Sequence, residues 1–114
     1  MGMELRVLGS SSSGNCYILD NGNEALIIEA GIRFIDVKKA LDFNIRKVVG
    51  CLITHQHNDH AKYAKAMVDC GFHVLALPEV IESKELKGSR VKAIKIGSGY
   101  LLGGFRVIPF PAFH

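Results

Sequence analysis

No Cys-x-x-Cys pair occurs in this chain of 114 residues, and its three cysteines, Cys16, Cys51 and Cys70, are odd in number and widely spaced. That pattern gives no disulfide framework, and the thiols are expected to be reduced and mostly buried, as in a cytoplasmic protein. No apolar run is long enough to span a bilayer, and the opening "MGMELRVLGS" has no apolar core of the secretory kind. A membrane role is therefore not expected. Charge of one sign is not gathered anywhere. The 14 basic and 11 acidic residues leave a net charge of +3, and the basic ones are scattered, so no arm for nucleic acid stands out. Repeats, linkers and low-complexity segments are missing too, apart from four consecutive serines. What is present is a composition that is 48% apolar, which suits one small globular domain over residues 1–114.

The order of patterns predicts a mixed α/β (α+β) sheet with helices packed on it. Residues 4–8, "ELRVL", alternate as a strand does, and "GSSSSGN" then reads as a loop. Two β-rich runs flank "DNGN", where Asn21-Gly22 favours the positive φ angles of a tight hairpin turn. Apolar positions 34, 37 and 41 predict a short amphipathic helix ending near Phe43. "VVGCLIT", 48–54, reads as a strand buried on both faces. "HAKYAKAMVDCG" predicts a helix stopped by Gly71. "HVLAL" predicts a strand, and Pro78 opens a helix to about Leu86. "VKAIKI" and "YLLGGFRVIPF" supply the last strands, with Pro109 and Pro111 confining the final one to an edge or an end.

The chemistry is concentrated in "THQHNDH", which holds His55, His57, Asp59 and His60. On an extended loop, positions two apart point the same way, so His55 and His57 can converge on one point. Asp59 and His60 fall at the start of a helix, free to aim at a second point. A single histidine is usually an ordinary polar residue, and Asp59 alone could be a helix cap. Four such side chains in six positions are different: imidazole and carboxylate at this density suit Zn²⁺, Fe²⁺ or Mn²⁺, and leaving them buried without a ligand would be costly.

"THQHNDH" after an apolar strand resembles the THxHxDH signature of the metallo-β-lactamase superfamily, and the elements before it resemble that family's first half. The resemblance implies the N-terminal half of an αββα sandwich. It implies two divalent metal ions, Zn²⁺ first with Mn²⁺ or Fe²⁺ as alternatives. His55, His57 and the terminal His114 would hold one, and Asp59 and His60 the other. Asp59 would also orient the attacking water. The family's bridging Asp and last His, from the second half, have no counterpart, so these residues alone are expected to be catalytically poor and to self-associate through an uncovered sheet face.

"GSSSSGNCYIL" resembles the SSxGN opening of exonuclease-like members. That implies a phosphodiester or nucleic-acid substrate met by Ser11, Ser12, Ser13 and Asn15, since hydroxyls and backbone N–H groups can receive a phosphate. The function implied is a metal-dependent hydrolase, a phosphodiesterase or nuclease using an activated water. The rivals are a thioester or lactone hydrolase on the same site, a mono-iron dioxygenase, and a non-catalytic half-domain. One departure is visible: Glu29, in "LIIEAG", stands where the family usually has Asp, so the support behind the metal ligands differs. His73, at the start of a strand, has no mark of a ligand.

Overall fold

The computed structural model describes residues 2–111, so the terminal His114 and the neighbouring Phe113 lie outside the described residues. Alternation in the strands decides which way each side chain faces. The main sheet contains β1 (Glu4–Ser11), β2 (Gly14–Asp20), β3 (Ala25–Ile28), β4 (Val48–Ile53), β5 (Val74–Ala76) and β6 (Val91–Ala93), side by side in that order. β1, β2 and β3 run antiparallel, and β3 to β6 are parallel. The register aligns Ile18, Ile27, Cys51 and Val74 in one row across four strands. That row faces the helices α1 (Phe34–Ala40), α2 (Asn58–Ala61), α3 (Ala64–Asp69) and α4 (Pro78–Ser83) and is fully buried with Ile53, Met67 and Val80. Each such side chain contributes about 1.5–3 kcal/mol by leaving water.

The opposite face carries Leu26, Leu52 and Leu75. A small hairpin, β7 (Tyr100–Leu102) with β8 (Phe105–Val107), lays Leu102 and Phe105 on them. The cover is partial. On β1, Leu5 stands opposite Leu19 and Val7 opposite Tyr17. Met3, Leu5 and Val7 remain well over half exposed, at 60%, 57% and 56%.

A mixed sheet with flanking helices is what the pattern predicts, and the differences have local causes. The expected serine loop is mostly strand: β1 runs on to Ser11 and β2 begins at Gly14, so only Ser12 and Ser13 form the turn. At Asn21-Gly22 only Gly22 takes a positive φ, 98°. The Asn21 side chain folds back to accept the N–H groups of Asn23 (3.0 Å) and Glu24 (2.8 Å), closing a longer turn. Helix α1 stops at Ala40, since Asp42 and Phe43 have left-handed backbone. The single helix expected after the histidine motif is two short ones, α2 and α3. Gly71 does close the second, with φ 95°.

Cys16, Cys51 and Cys70 are all free. Burial, reinforced by the nearby Glu29, pushes the Cys16 thiol up to about 12, and Cys51 is also raised, chiefly by burial. Both side chains are fully buried in the core.

Candidate metal centre

The site forms where β3 and β4 end side by side. Glu29 follows β3 directly, with φ 67°, a left-handed conformation that a long side chain adopts at a cost of about 1–3 kcal/mol. Asp enters this region more readily. Several contacts offset the strain. The Glu29 N–H donates to the Leu52 carbonyl (2.8 Å). Its carboxylate accepts from the Thr54 N–H (2.7 Å), the Thr54 hydroxyl (2.6 Å) and His60 Nδ1 (2.7 Å). Glu29 is only 4% exposed, so these charge-assisted bonds form away from competing water.

Counting hydrogens fixes both imidazoles. A carboxylate only accepts, so the Thr54 hydroxyl hydrogen and the His60 Nδ1 hydrogen both point at Glu29. Having given its hydrogen to Glu29, the Thr54 oxygen accepts from His55 Nδ1, 2.7 Å away. One carboxylate thereby holds His60 directly and His55 through a hydroxyl. Both rings are held by their Nδ1 hydrogen, which leaves Nε2 as the atom each ring can offer to a ligand. The two rings lie 4.4 Å apart, tilted by 39°.

Glu29, His55 and His60 each offer an atom within 4.8 Å of the others. The Glu29 oxygens are already saturated with donors, so Glu29 serves as the support behind the imidazoles and the Nε2 atoms face outward as ligands. Asp59 completes this side. Its Oδ2 lies 3.5 Å from His60 Nε2. A positive centre between these two atoms, a proton or a metal ion, is favoured by both. The separation also matches two ligands sharing one ion at about 2.1 Å each. The donor set therefore fits a divalent metal.

Asp59 and His60 sit in the first turn of α2, as the spacing predicts. His55 is brought beside His60. His57, the residue before α2, is exposed and lies outside the Glu29–His55–His60 group. His114 lies outside the described residues. Ser11, Ser12 and Ser13 are exposed at the turn, with Ser11 Oγ 2.7 Å from Ser13 Oγ. Asn15 is different: it is 8% exposed and turned inward. Its Nδ2 lies 2.9 Å from the Ser11 carbonyl, 3.1 Å from the Asp59 carbonyl, 3.3 Å from Asp59 Oδ2 and 3.4 Å from His60 Nε2. Gly31 lets these segments meet, because a Cβ there would lie 2.0 Å from the Asp59 carbonyl oxygen. Thr54, which links Glu29 to His55, is a functional residue that spacing alone does not mark. The only available signal was a hydroxyl directly before the first histidine of the motif.

A cavity of about 310 Å³ opens beside His55, walled mainly by apolar groups including Leu52, Leu77, Ile96 and Pro109. The centre thus has a polar rim on the serine side and an apolar wall on the other. Among the described residues, no helix is long and apolar enough to cross a membrane.

Residues 10–64, which hold both the serine turn and the histidine motif, match the family model of the metallo-beta-lactamase superfamily. Over an alignment of 65 residues, the chain is 35% identical to the exodeoxyribonuclease YycJ of Bacillus anthracis, covering 54% of this chain and 25% of that protein. Among solved structures, the metallo-beta-lactamase fold protein YhfI of Bacillus subtilis superposes with a TM-score of 0.72 at 15% identity, over 95% of this chain and 52% of that one. A metallo-beta-lactamase from Staphylococcus aureus gives 0.71 at 14% identity, over 92% of this chain and 33% of that one. The chain therefore spans a quarter of that curated relative and about half or less of these two solved chains. It carries the metallo-beta-lactamase superfamily's sequence pattern over residues 10–64 and the superfamily's fold.

Proposed function

We propose, from a chain that carries the metallo-beta-lactamase fold, that this is the N-terminal, metal-holding half of a hydrolase acting on phosphodiesters. The observation that carries the reading is the pair of Nε2 atoms, on His55 and His60, held outward by Glu29 and Thr54 beside the Asp59 carboxylate. His55, His57 and His114 would hold one divalent ion, Asp59 and His60 the other, with Zn²⁺ preferred over Mn²⁺ or Fe²⁺ for this imidazole-rich set. Bound there, such ions supply a water acidic enough to attack at neutral pH and a counter-charge for the oxyanion that develops. Asp59 orients the water through its carboxylate. Glu29 and Thr54 keep the imidazoles oriented through Nδ1, so that Nε2 is the atom each ring offers to an ion.

The phosphodiester assignment rests on the serine turn. Ser11, Ser12 and Ser13 offer hydroxyls at the rim, and Asn15 ties that turn to Asp59. The similarity of 65 residues to a protein named an exodeoxyribonuclease supports a nucleic-acid substrate. A cytoplasmic place suits the three free thiols. The uncovered Met3, Leu5 and Val7 face supports self-association.

The test is hydrolysis of a chromogenic phosphodiester and of single-stranded DNA by the zinc- or manganese-loaded protein. Slow cleavage abolished by EDTA is the expected result. A second reading, a thioester or lactone hydrolase, is favoured by the apolar cavity beside His55, which would take an acyl chain. Cleavage of such esters with no phosphodiester cleavage by the same preparation would replace the first reading with the second.

A further inference from the structure

We propose that Asn15 is a positioning residue of the metal centre, fixing Asp59 and His60 in place, and not a group that meets substrate. The inference rests on the metal-site reading above and deepens it. An α-helix beginning at Asn58 would continue by bonding the Tyr63 N–H to the Asp59 carbonyl and the Ala64 N–H to the His60 carbonyl. Neither bond is made. The Asp59 carbonyl receives Asn15 Nδ2 (3.1 Å), and the His60 carbonyl receives the Ala30 N–H (2.6 Å). The Tyr63 N–H turns to the Ala30 carbonyl instead (2.9 Å). Asn15 is thus one of the two groups that stop α2 after a single turn, with Asp59 and His60 held on it.

The amide does a second thing. Its two hydrogens go to the nearest acceptors, the Ser11 and Asp59 carbonyls. The same nitrogen still lies 3.3 Å from Asp59 Oδ2 and 3.4 Å from His60 Nε2. Those are the two atoms that face each other at 3.5 Å. The amide therefore sits against both side chains and keeps them aimed at one point. The Asn15 amide oxygen takes the Tyr17 hydroxyl (3.4 Å), and its main-chain carbonyl takes the Gly31 N–H (2.9 Å). The side chain is committed on every side, which leaves nothing for a substrate phosphate.

Asn15→Ala and Asn15→Ser test this on the purified chain. Neither replacement can reach from Ser11 to Asp59. Three quantities are measured: Zn²⁺ affinity by chelator competition, the ¹⁵N resonances of the His60 ring without metal, and the unfolding midpoint. Asn21→Ala, which removes the amide network of the β2–β3 turn far along the sheet, sets the size of a purely structural loss. Both Asn15 variants should unfold cooperatively, show a displaced His60 Nε2 resonance, and bind Zn²⁺ 10- to 100-fold more weakly. Asn21→Ala should change only the midpoint. Unchanged His60 resonances with Zn²⁺ affinity within twofold of wild type would overturn the proposal. So would loss of the cooperative transition in both variants, because Asn15 would then be a folding residue. A wild-type chain that binds no Zn²⁺ would instead refute the metal-site reading, and the His60 resonances would still decide the role of Asn15.

Discussion

The Ala30 N–H donates to the His60 carbonyl at 2.6 Å, and the Ala30 carbonyl accepts the Tyr63 N–H at 2.9 Å. This exchange joins the end of β3 to the motif and splits the following helix in two. It depends on the close approach at Gly31, where an added Cβ would lie 2.0 Å from the Asp59 carbonyl oxygen and 2.7 Å from the Asn15 nitrogen. Gly31→Ala should therefore cost about 1–3 kcal/mol of stability through overpacking and should also weaken metal binding. Gly71→Ala is the control. It meets nothing within 4 Å but has φ 95°, so its cost of about 1 kcal/mol comes from the backbone alone and metal affinity should not move. Denaturant unfolding and zinc titration of both variants decide whether the two effects separate.

Glu29→Gln keeps the length of the side chain and removes its charge. The Gln amide can accept on one side only, so one of its three donors from Thr54 and His60 is left unmatched. Metal affinity should fall about 10- to 100-fold. Glu29→Asp relieves the left-handed strain yet falls a methylene short of His60. It should stabilise the metal-free fold or leave it unchanged while weakening metal binding. Isothermal titration with Zn²⁺ alongside thermal unfolding checks both, and a Gln variant with wild-type affinity would show that the carboxylate is not the support described.

Asp20 predicts a pH dependence away from the site. Lys47 Nζ donates to Asp20 Oδ2 at 2.8 Å. That bond, the Gly22 N–H and the charges of Lys47 and Arg6 hold the Asp20 carboxyl below its ordinary value against the opposing effect of burial. A group lowered in the folded state adds stability above its unfolded pKa, about 4, and loses it as pH falls through the lower folded value. Asp20→Asn should lose about 1–3 kcal/mol near neutrality, and its gap to wild type should close in acid. A gap that stays constant with pH would mean that the pair does not carry the effect.

The uncovered face of β1 predicts association between copies of the chain. Met3, Leu5 and Val7 are exposed there, and Ile108 and Phe110 are exposed after β8. Light scattering should show a mass that rises with concentration, and Leu5→Lys with Val7→Lys should return the chain to a monomer. A monomer at all concentrations in the unmodified chain would contradict this.

Much of the fold could be read from periodicity. The two-faced strand at 48–54, the hairpin before it and the stop at Gly71 all follow from local chemistry. The break between α2 and α3 could not be read, because "HAKYAKAMVDCG" has good helix formers and the partners at the break, Ala30 and Asn15, are remote in sequence. The same holds in the site. Spacing placed Asp59 and His60 on a helix start, but pairing His55 with His60, and leaving His57 outside that pair, needs Glu29 and Thr54 to turn the rings. Asn15 was visible only as part of a polar loop, since nothing in "SSSSGN" distinguishes an inward amide from an outward one.

Glu29 and Thr54 fix the His55 and His60 rings with hydrogen on Nδ1, leaving Nε2 to meet a metal. Long-range ¹H–¹⁵N correlation spectra of the imidazole rings, recorded without metal and during a Zn²⁺ titration, test it directly. Nδ1 should be protonated in both rings before zinc is added, and the zinc-induced shifts should fall on Nε2 of both. Rings found with hydrogen on Nε2, or zinc shifts falling on Nδ1, would contradict it.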